Sequence, residues 1–140
     1  MAKIKHIAIF TEDPEKLGQF YAEVFGLEIK GSRAGRAVWL SDGNLEVALI
    51  NASSPEAKAA GKKGIDHFGF TLDPDEKKQV IAKLAKRGIE PYDPRGGRVG
   101  DNRPFVEVAA SDIDGNRFDL STGMREVKPD DVVQAEPAKV

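Results

Sequence analysis

The sequence predicts an α+β fold made of two copies of one strand-helix-strand module. Three observations carry this. KIKHIAIFTEDPEKL (3–17) resembles GIDHFGFTLDPDEKK (64–78). GLEI (26–29) echoes GIEP (88–91) in the same order, and SDGNLEVAL (41–49) echoes IDGNRFDL (113–120). A repeat of about 60 residues present twice is too long and too few-copied for a solenoid, so it reads as a duplicated module. The copies, 3–52 and 64–122, are expected to form one domain over 1–125, joined by SSPEAKAAGKKG (53–64), a Gly-, Ala- and Lys-rich linker. The remainder, 126–140, is charged, carries Pro129 and Pro137, and is expected to be loosely ordered.

Each module opens with a strand. Ile7 and Ile9 alternate with His6 and Ala8, and Phe68, Phe70 and Leu72 alternate with His67, Gly69 and Thr71. A period of two puts the apolar set on one face and each histidine on the other. A helix follows, with Asp13 and Asp73 as N-caps and Pro14 and Pro74 at the first helical position. Leu17, Phe20, Tyr21, Val24 and Phe25 make the expected buried stripe of the first helix, and Val80, Ile81 and Leu84 that of the second. Gly26 and Gly88 end them. Three strands then follow in each copy: GLEIKG, RAVWLS and LEVALIN, then GIEPYD, RPFVEVAAS and NRFDLST. DGN at 42–44 and 114–116 supplies a tight turn. The modules read as βαβββ twice, each with one face on its helix and the other turned towards a shared concave space.

Composition narrows the function classes. With 40% hydrophobic and 31% charged residues, 140 residues suit one soluble domain. A net charge of −2 gives no basis for binding nucleic acid or an anionic membrane. No apolar run is long enough to span a bilayer, and MAKIKH lacks the apolar core of a signal peptide. Without cysteine, disulfides and thiolate metal sites are excluded, and the cytoplasm is the expected compartment.

The chain holds only two histidines, His6 and His67. A single strand histidine is ordinarily a hydrogen-bonded structural residue. Here both fall at the same place in two repeats, on the face opposite the apolar row. In NRFDLS, Phe118 and Leu120 are the apolar alternates, so Asp119 points to the same face. Two imidazoles and a carboxylate on that face form the two-His-one-carboxylate set that holds Fe(II), with Mn, Ni and Zn in related sites and open positions for substrate. Fe(II) is slightly favoured among these divalent ions.

At this level the chain resembles the vicinal oxygen chelate superfamily, which includes glyoxalase I, bleomycin-resistance proteins, fosfomycin-resistance enzymes, methylmalonyl-CoA epimerase and extradiol dioxygenases. The resemblance covers about residues 3–122 through KHIAIFTEDPEKLGQFYAEVFGLEI, IDHFGFTLD and DIDGNRFDLS. It implies metal ligation at His6, His67 and Asp119, where the family usually has Glu at the last position. Glyoxalase I and the epimerase have a fourth ligand, Glu or Gln, in the last strand of the first module. Matching the apolar alternation puts Ala48 there; matching the DGN turns puts Val47 there. The alternation is preferred, and it leaves Glu46 on the open face as a possible further ligand or solvated group. A three-ligand site resembles the extradiol dioxygenases and the fosfomycin-resistance enzymes, but this chain has no third histidine to act as acid or base. It also has Ala8 where the fosfomycin enzymes have a Thr two residues after the first ligand.

Candidate catalytic groups are therefore Glu46, Glu107 and the phenol of Tyr92, since Tyr21 belongs to the expected buried stripe. Arg95, Arg98 and Arg103 surround glycines in YDPRGGRVGDNRPF (92–105) and could bind a carboxylate or phosphate of a small-molecule substrate. The same residues are ordinary solubilising arginines in the simpler reading. No Walker or dinucleotide motif is present, so no nucleotide cofactor is expected. The expectation is a metal-dependent enzyme whose substrate chelates the ion through adjacent oxygens, with the dioxygenase-like site favoured. The alternatives are a glyoxalase I-like lyase or isomerase and a drug-binding resistance protein without catalysis. Members of the superfamily close their cups within one chain or across a two-fold dimer, and a homodimer is expected.

Overall fold

The computed structural model describes residues 2–94, 107–122 and 132–133. Its elements run β1 (Lys3–Thr11), α1 (Pro14–Phe25), β2 (Glu28–Arg33), β3 (Ala37–Ser41), β4 (Glu46–Asn51), α2 (Pro55–Ala60), β5 (Gly64–Leu72), α3 (Pro74–Lys86), β6 (Glu107–Ser111), β7 (Arg117–Thr122) and β8 (Val132–Val133). The fold is α+β. The chain divides into two compact units, His6–Asp66 with Val127–Val140, and His67–Glu126 with Met1–Lys5.

In the first unit the strands lie in the order β1-β4-β3-β2-β8. β1 is parallel to β4, and the remaining neighbours are antiparallel. The α1 face of the sheet holds Ile29, Val38, Leu40 and Leu49, with Ile9 and Val47 at its margin. The opposite face carries Ala37, Trp39 and Ala48. Val132 and Val133, in the tail expected to be loosely ordered, pair with Ser32 and Gly31 at the sheet edge.

In the second unit β5, β7 and β6 are neighbours in that order, parallel and then antiparallel. This is the β1-β4-β3 arrangement repeated. Leu72, Val108, Ala110, Phe118 and Leu120 form its core, capped by Val80, Ile81 and Leu84 of α3 as the helical spacing predicts.

The helix signals work locally as read. Asp13 accepts from Lys16 N at 3.0 Å. Asp73 accepts from Glu76 N at 2.7 Å, while Glu76 accepts from Asp73 N at 3.3 Å, a reciprocal cap. Gly26 ends α1 at φ 72°, a left-handed conformation that costs glycine little.

Three sequence expectations need correction. The first is the α1 stripe. Its fully buried residues are Pro14, Gly18 and Ala22, while Phe20, Val24 and Phe25 are 51%, 58% and 66% exposed. Small residues four apart let the helix axis approach the sheet, and a Cβ on Gly18 would meet Val38 Cγ1 at 3.0 Å. The aromatic residues are displaced to the flank, where Phe20, Tyr21 and Phe25 pack on one another.

The second is the linker, which contains a helix. Ser54 caps α2 by accepting from Ala57 N at 3.1 Å, Pro55 opens it, and Gly61 closes it at φ 67°. The third is GIEPYD, which contributes no named strand. Among the described residues only Tyr92 of this segment pairs, with Ala109, through N–H···O bonds of 2.8 and 2.7 Å. Pro91 and Pro94 on either side have no N–H to donate to a ladder.

Candidate metal centre

In the second unit β5 and β7 run parallel with His67 opposite Arg117 and Gly69 opposite Asp119. The antiparallel register then sets Ala109 opposite Asp119 and Glu107 opposite Ser121. Directly paired residues share a face. His67, Arg117, Asp119, Glu107 and Tyr92 therefore occupy the face away from α3, as the alternation predicts for His67 and Asp119.

His67 and Asp119 meet. His67 Nε2 donates to Asp119 Oδ2 at 3.1 Å, and the residues are 5% and 1% exposed. Arg117, two residues earlier on β7, grips the same carboxylate. Its Nε donates to Oδ1 at 3.1 Å and its Nη2 to Oδ2 at 3.2 Å. Burial by itself would push the Asp119 carboxyl up. The hydrogen bond and charge of His67, with those of Arg117, outweigh it and hold the group below its ordinary value. Arg117 is absent from the sequence-based site. Its signal was an opposite charge two positions before Asp119, a spacing that places both on one face of a strand.

In the first unit the corresponding parallel pair is β1 with β4, and His6 lies opposite Glu46, Ala8 opposite Ala48. Glu46 thus occupies the register position of Arg117, and Ala48 that of Asp119. This supports the alternation over the turn match, and it explains why the two disagree by one residue. Ser41 pairs with Glu46 across residues 42–45, whereas Ser111 pairs with Arg117 across 112–116, one residue more. The shorter turn is held by Asp42 Oδ1, which accepts from Asn44 N at 2.8 Å and Leu45 N at 2.7 Å. The longer one is held by Asp112 Oδ1, which accepts from Asp114 N and Asn116 N, each at 2.9 Å.

Among the other candidates, Tyr92 is 47% exposed. Glu107 lies within electrostatic reach of Lys77, a residue of α3 that is 9% exposed. Arg95, Arg98 and Arg103 lie outside the described residues.

The His67–Asp119 pair suits a divalent ion. It brings an imidazole nitrogen and a carboxylate oxygen, both donor types that such ions take, within 3.1 Å of each other. An ionised carboxylate offers about four acceptor positions, so Arg117 can keep its two bonds while Oδ2 also binds an ion. His67 and Asp119 would hold the ion, with His67 ligating through a nitrogen that carries no proton.

The sequence model of the Glyoxalase/Bleomycin resistance protein/Dioxygenase superfamily matches residues 3–120. A search of curated protein sequences finds no match. Among solved structures, methylmalonyl-CoA epimerase from Mycobacterium tuberculosis is similar at 16% identity and a TM-score of 0.64, over 87% of this chain and 88% of that one. The epimerase from Streptomyces coelicolor, in complex with 2-nitronate-propionyl-CoA, is similar at 22% identity and a TM-score of 0.62, over 88% and 98%. The 2,3-dioxygenase LapB from Pseudomonas sp. KL28 is similar at 19% identity and a TM-score of 0.63; the match covers 96% of this chain and 46% of the dioxygenase. Among the described residues no helix is long and apolar enough to cross a membrane. With the family model spanning both copies of the repeat, the chain belongs to the Glyoxalase/Bleomycin resistance protein/Dioxygenase superfamily.

Proposed function

We propose that this protein is a metal-dependent enzyme in which His6, His67 and Asp119 hold one divalent cation. The observation that carries the reading is the buried His67–Asp119 pair at 3.1 Å. His6 joins it because it holds the equivalent place in the duplicated strand, on the same side of the apolar row. A divalent ion there supplies Lewis acidity towards a substrate with two adjacent oxygens.

The chain's own groups do the rest. Asp119 is held in one orientation by Arg117, and His67 is directed at it, so two ligands are set before any ion arrives. Glu46, level with His6, is the nearest carboxylate in register and is assigned as the base that takes a substrate proton. Tyr92 and Glu107, on the Asp119 face, are the second choices for proton transfer. Arg95, Arg98 and Arg103 would orient an anionic group of the substrate. With Ala48 at the position matching Asp119, the ligand count supports dioxygenase-like chemistry over a glyoxalase I-like lyase or isomerase. A homodimer belongs to the same proposal.

The test is elemental analysis of protein purified anaerobically without added metal, followed by oxygen uptake with vicinal dihydroxy compounds. Iron near one per chain, with uptake abolished by His6→Ala, is the expected result. Zinc or nickel without oxygen uptake would move the reading to lyase or isomerase chemistry. Full activity after chelation, and in His6→Ala, would end it. Sedimentation at micromolar concentration checks the dimer.

A second reading is a metal-free binding module. It is favoured by one observation, the Arg117 fork that already satisfies Asp119. Tight binding of a small molecule by metal-free protein, with no metal found by elemental analysis, would select it.

A further inference from the structure

We infer that Arg117 is a positioning residue that weakens the hold of the site on its metal, keeping the ion exchangeable and limiting Asp119 to ligation through a single oxygen. This rests on the metal-site reading above.

The geometry gives the reasons. Arg117 Nε occupies Oδ1 at 3.1 Å, so that oxygen faces a guanidinium. Oδ2 accepts from Arg117 Nη2 at 3.2 Å but is also the oxygen aimed at His67 Nε2. An ion between His67 and the carboxylate meets Oδ2 alone. The Arg117 side chain is 14% exposed and that of Asp119 is 1% exposed, so the pair is poorly screened by water. A fixed positive charge one carboxylate away opposes an incoming dication.

The metal-free state matters equally. An ionised carboxylate buried without partners is costly. Arg117 removes that cost before any metal binds, so the ion gains less by arriving. Taking the arginine away raises the free energy of the empty site more than that of the filled one. The common expectation for a residue that supports a ligand is the reverse, since loss of support loosens the metal. The two roles therefore predict opposite signs.

The experiment titrates metal-free protein with Co2+ alone, by calorimetry and by the visible absorption of the bound ion. It compares wild type with Arg117→Gln, Arg117→Lys, Asp119→Ala and His67→Ala, each checked for folding by circular dichroism. Arg117→Gln removes the charge and is expected to bind Co2+ at least about tenfold more tightly. Arg117→Lys keeps the charge and is expected to stay within about threefold of wild type. Asp119→Ala and His67→Ala are expected to lose at least about a hundredfold.

Equal or weaker binding by Arg117→Gln, with binding still dependent on Asp119, overturns this proposal and leaves the metal site standing. If Arg117→Gln does not fold, the lysine variant decides: weakening by more than about tenfold shows that the arginine supports the metal, and overturns the proposal. No saturable binding by wild type, or binding indifferent to Asp119→Ala and His67→Ala, overturns the metal-site reading and this proposal with it.

Discussion

Arg117 and Asp119 stand two residues apart on one face of β7, joined through both carboxylate oxygens at 3.1 and 3.2 Å. The same carboxylate accepts from His67, and its residue is 1% exposed. Removing it strands a half-buried guanidinium, 14% exposed, and a buried imidazole. Asp119→Ala is therefore expected to cost about 3–5 kcal/mol, the range for breaking a buried ion pair by deleting one partner. Urea unfolding of metal-free protein measures it. A loss under about 1 kcal/mol would mean that water replaces the carboxylate, and that the cluster is wet.

The division of α1 into a buried edge and an exposed aromatic flank has its own test. Leu49 is fully buried against the helix, while Phe25 is 66% exposed. Leu49→Ala is expected to cost about 2–5 kcal/mol, transfer and cavity together. Phe25→Ala forfeits its contacts with Phe20 and Tyr21, about 0.5–1.5 kcal/mol. Unfolding free energies compared side by side check the order. A larger loss at Phe25 would mean that the flank is covered in solution.

These contrasts show which parts of the fold were legible in the sequence. Caps were, because Asp13, Asp73 and the prolines after them act within one turn. The faces of His67 and Asp119 were, because a strand alternates strictly and an apolar neighbour fixes the parity. The burial of α1 was not. Helical spacing reports which residues share a side, but the depth of approach was decided by Gly18 and Ala22, whose smallness carries no hydrophobic signal. Arg117 was missed for a related reason. A charged strand residue reads as solvated unless its partner on the same face is considered with it. The strand expected at GIEPYD rested on its echo of GLEI in the repeat, and Pro91 and Pro94, which GLEI lacks, cannot donate to a ladder. The preference for Ala48 over Val47 rested on alternation, and the register of β1 with β4 supports it.

Gly18 gives the next prediction. A Cβ there would lie 3.0 Å from Val38 Cγ1 and 3.6 Å from Leu49 Cδ1. Alanine gains about 1 kcal/mol of helix propensity and needs Val38 to give by a few tenths of an ångström, so Gly18→Ala is expected near neutral. Gly18→Val adds two methyl groups against the sheet and is expected to cost about 1–3 kcal/mol. Thermal and urea unfolding read the pair together. If valine is tolerated as well as alanine, α1 does not approach the sheet as closely as the structure places it.

The last prediction concerns Lys77, on the same α3 stripe as Ile81 and Leu84 and only 9% exposed. Burial pushes its ammonium below the ordinary 10.5, while the charges of Asp93 and Glu107 pull it partway back. The sign of the linkage follows. Between the lowered value and 10.5 the unfolded chain holds this proton and the folded chain releases it, so stability rises with pH across that window. Below the window both states are protonated and the gain is absent. Lys77→Met removes the group, so the difference in unfolding free energy, wild type minus variant, should be flat near neutral pH and climb as pH rises towards 10.5. Urea unfolding at closely spaced alkaline pH values measures it. A difference that falls with pH would reverse the balance, showing that attraction to Asp93 and Glu107 outweighs burial and holds Lys77 as a stabilising cation.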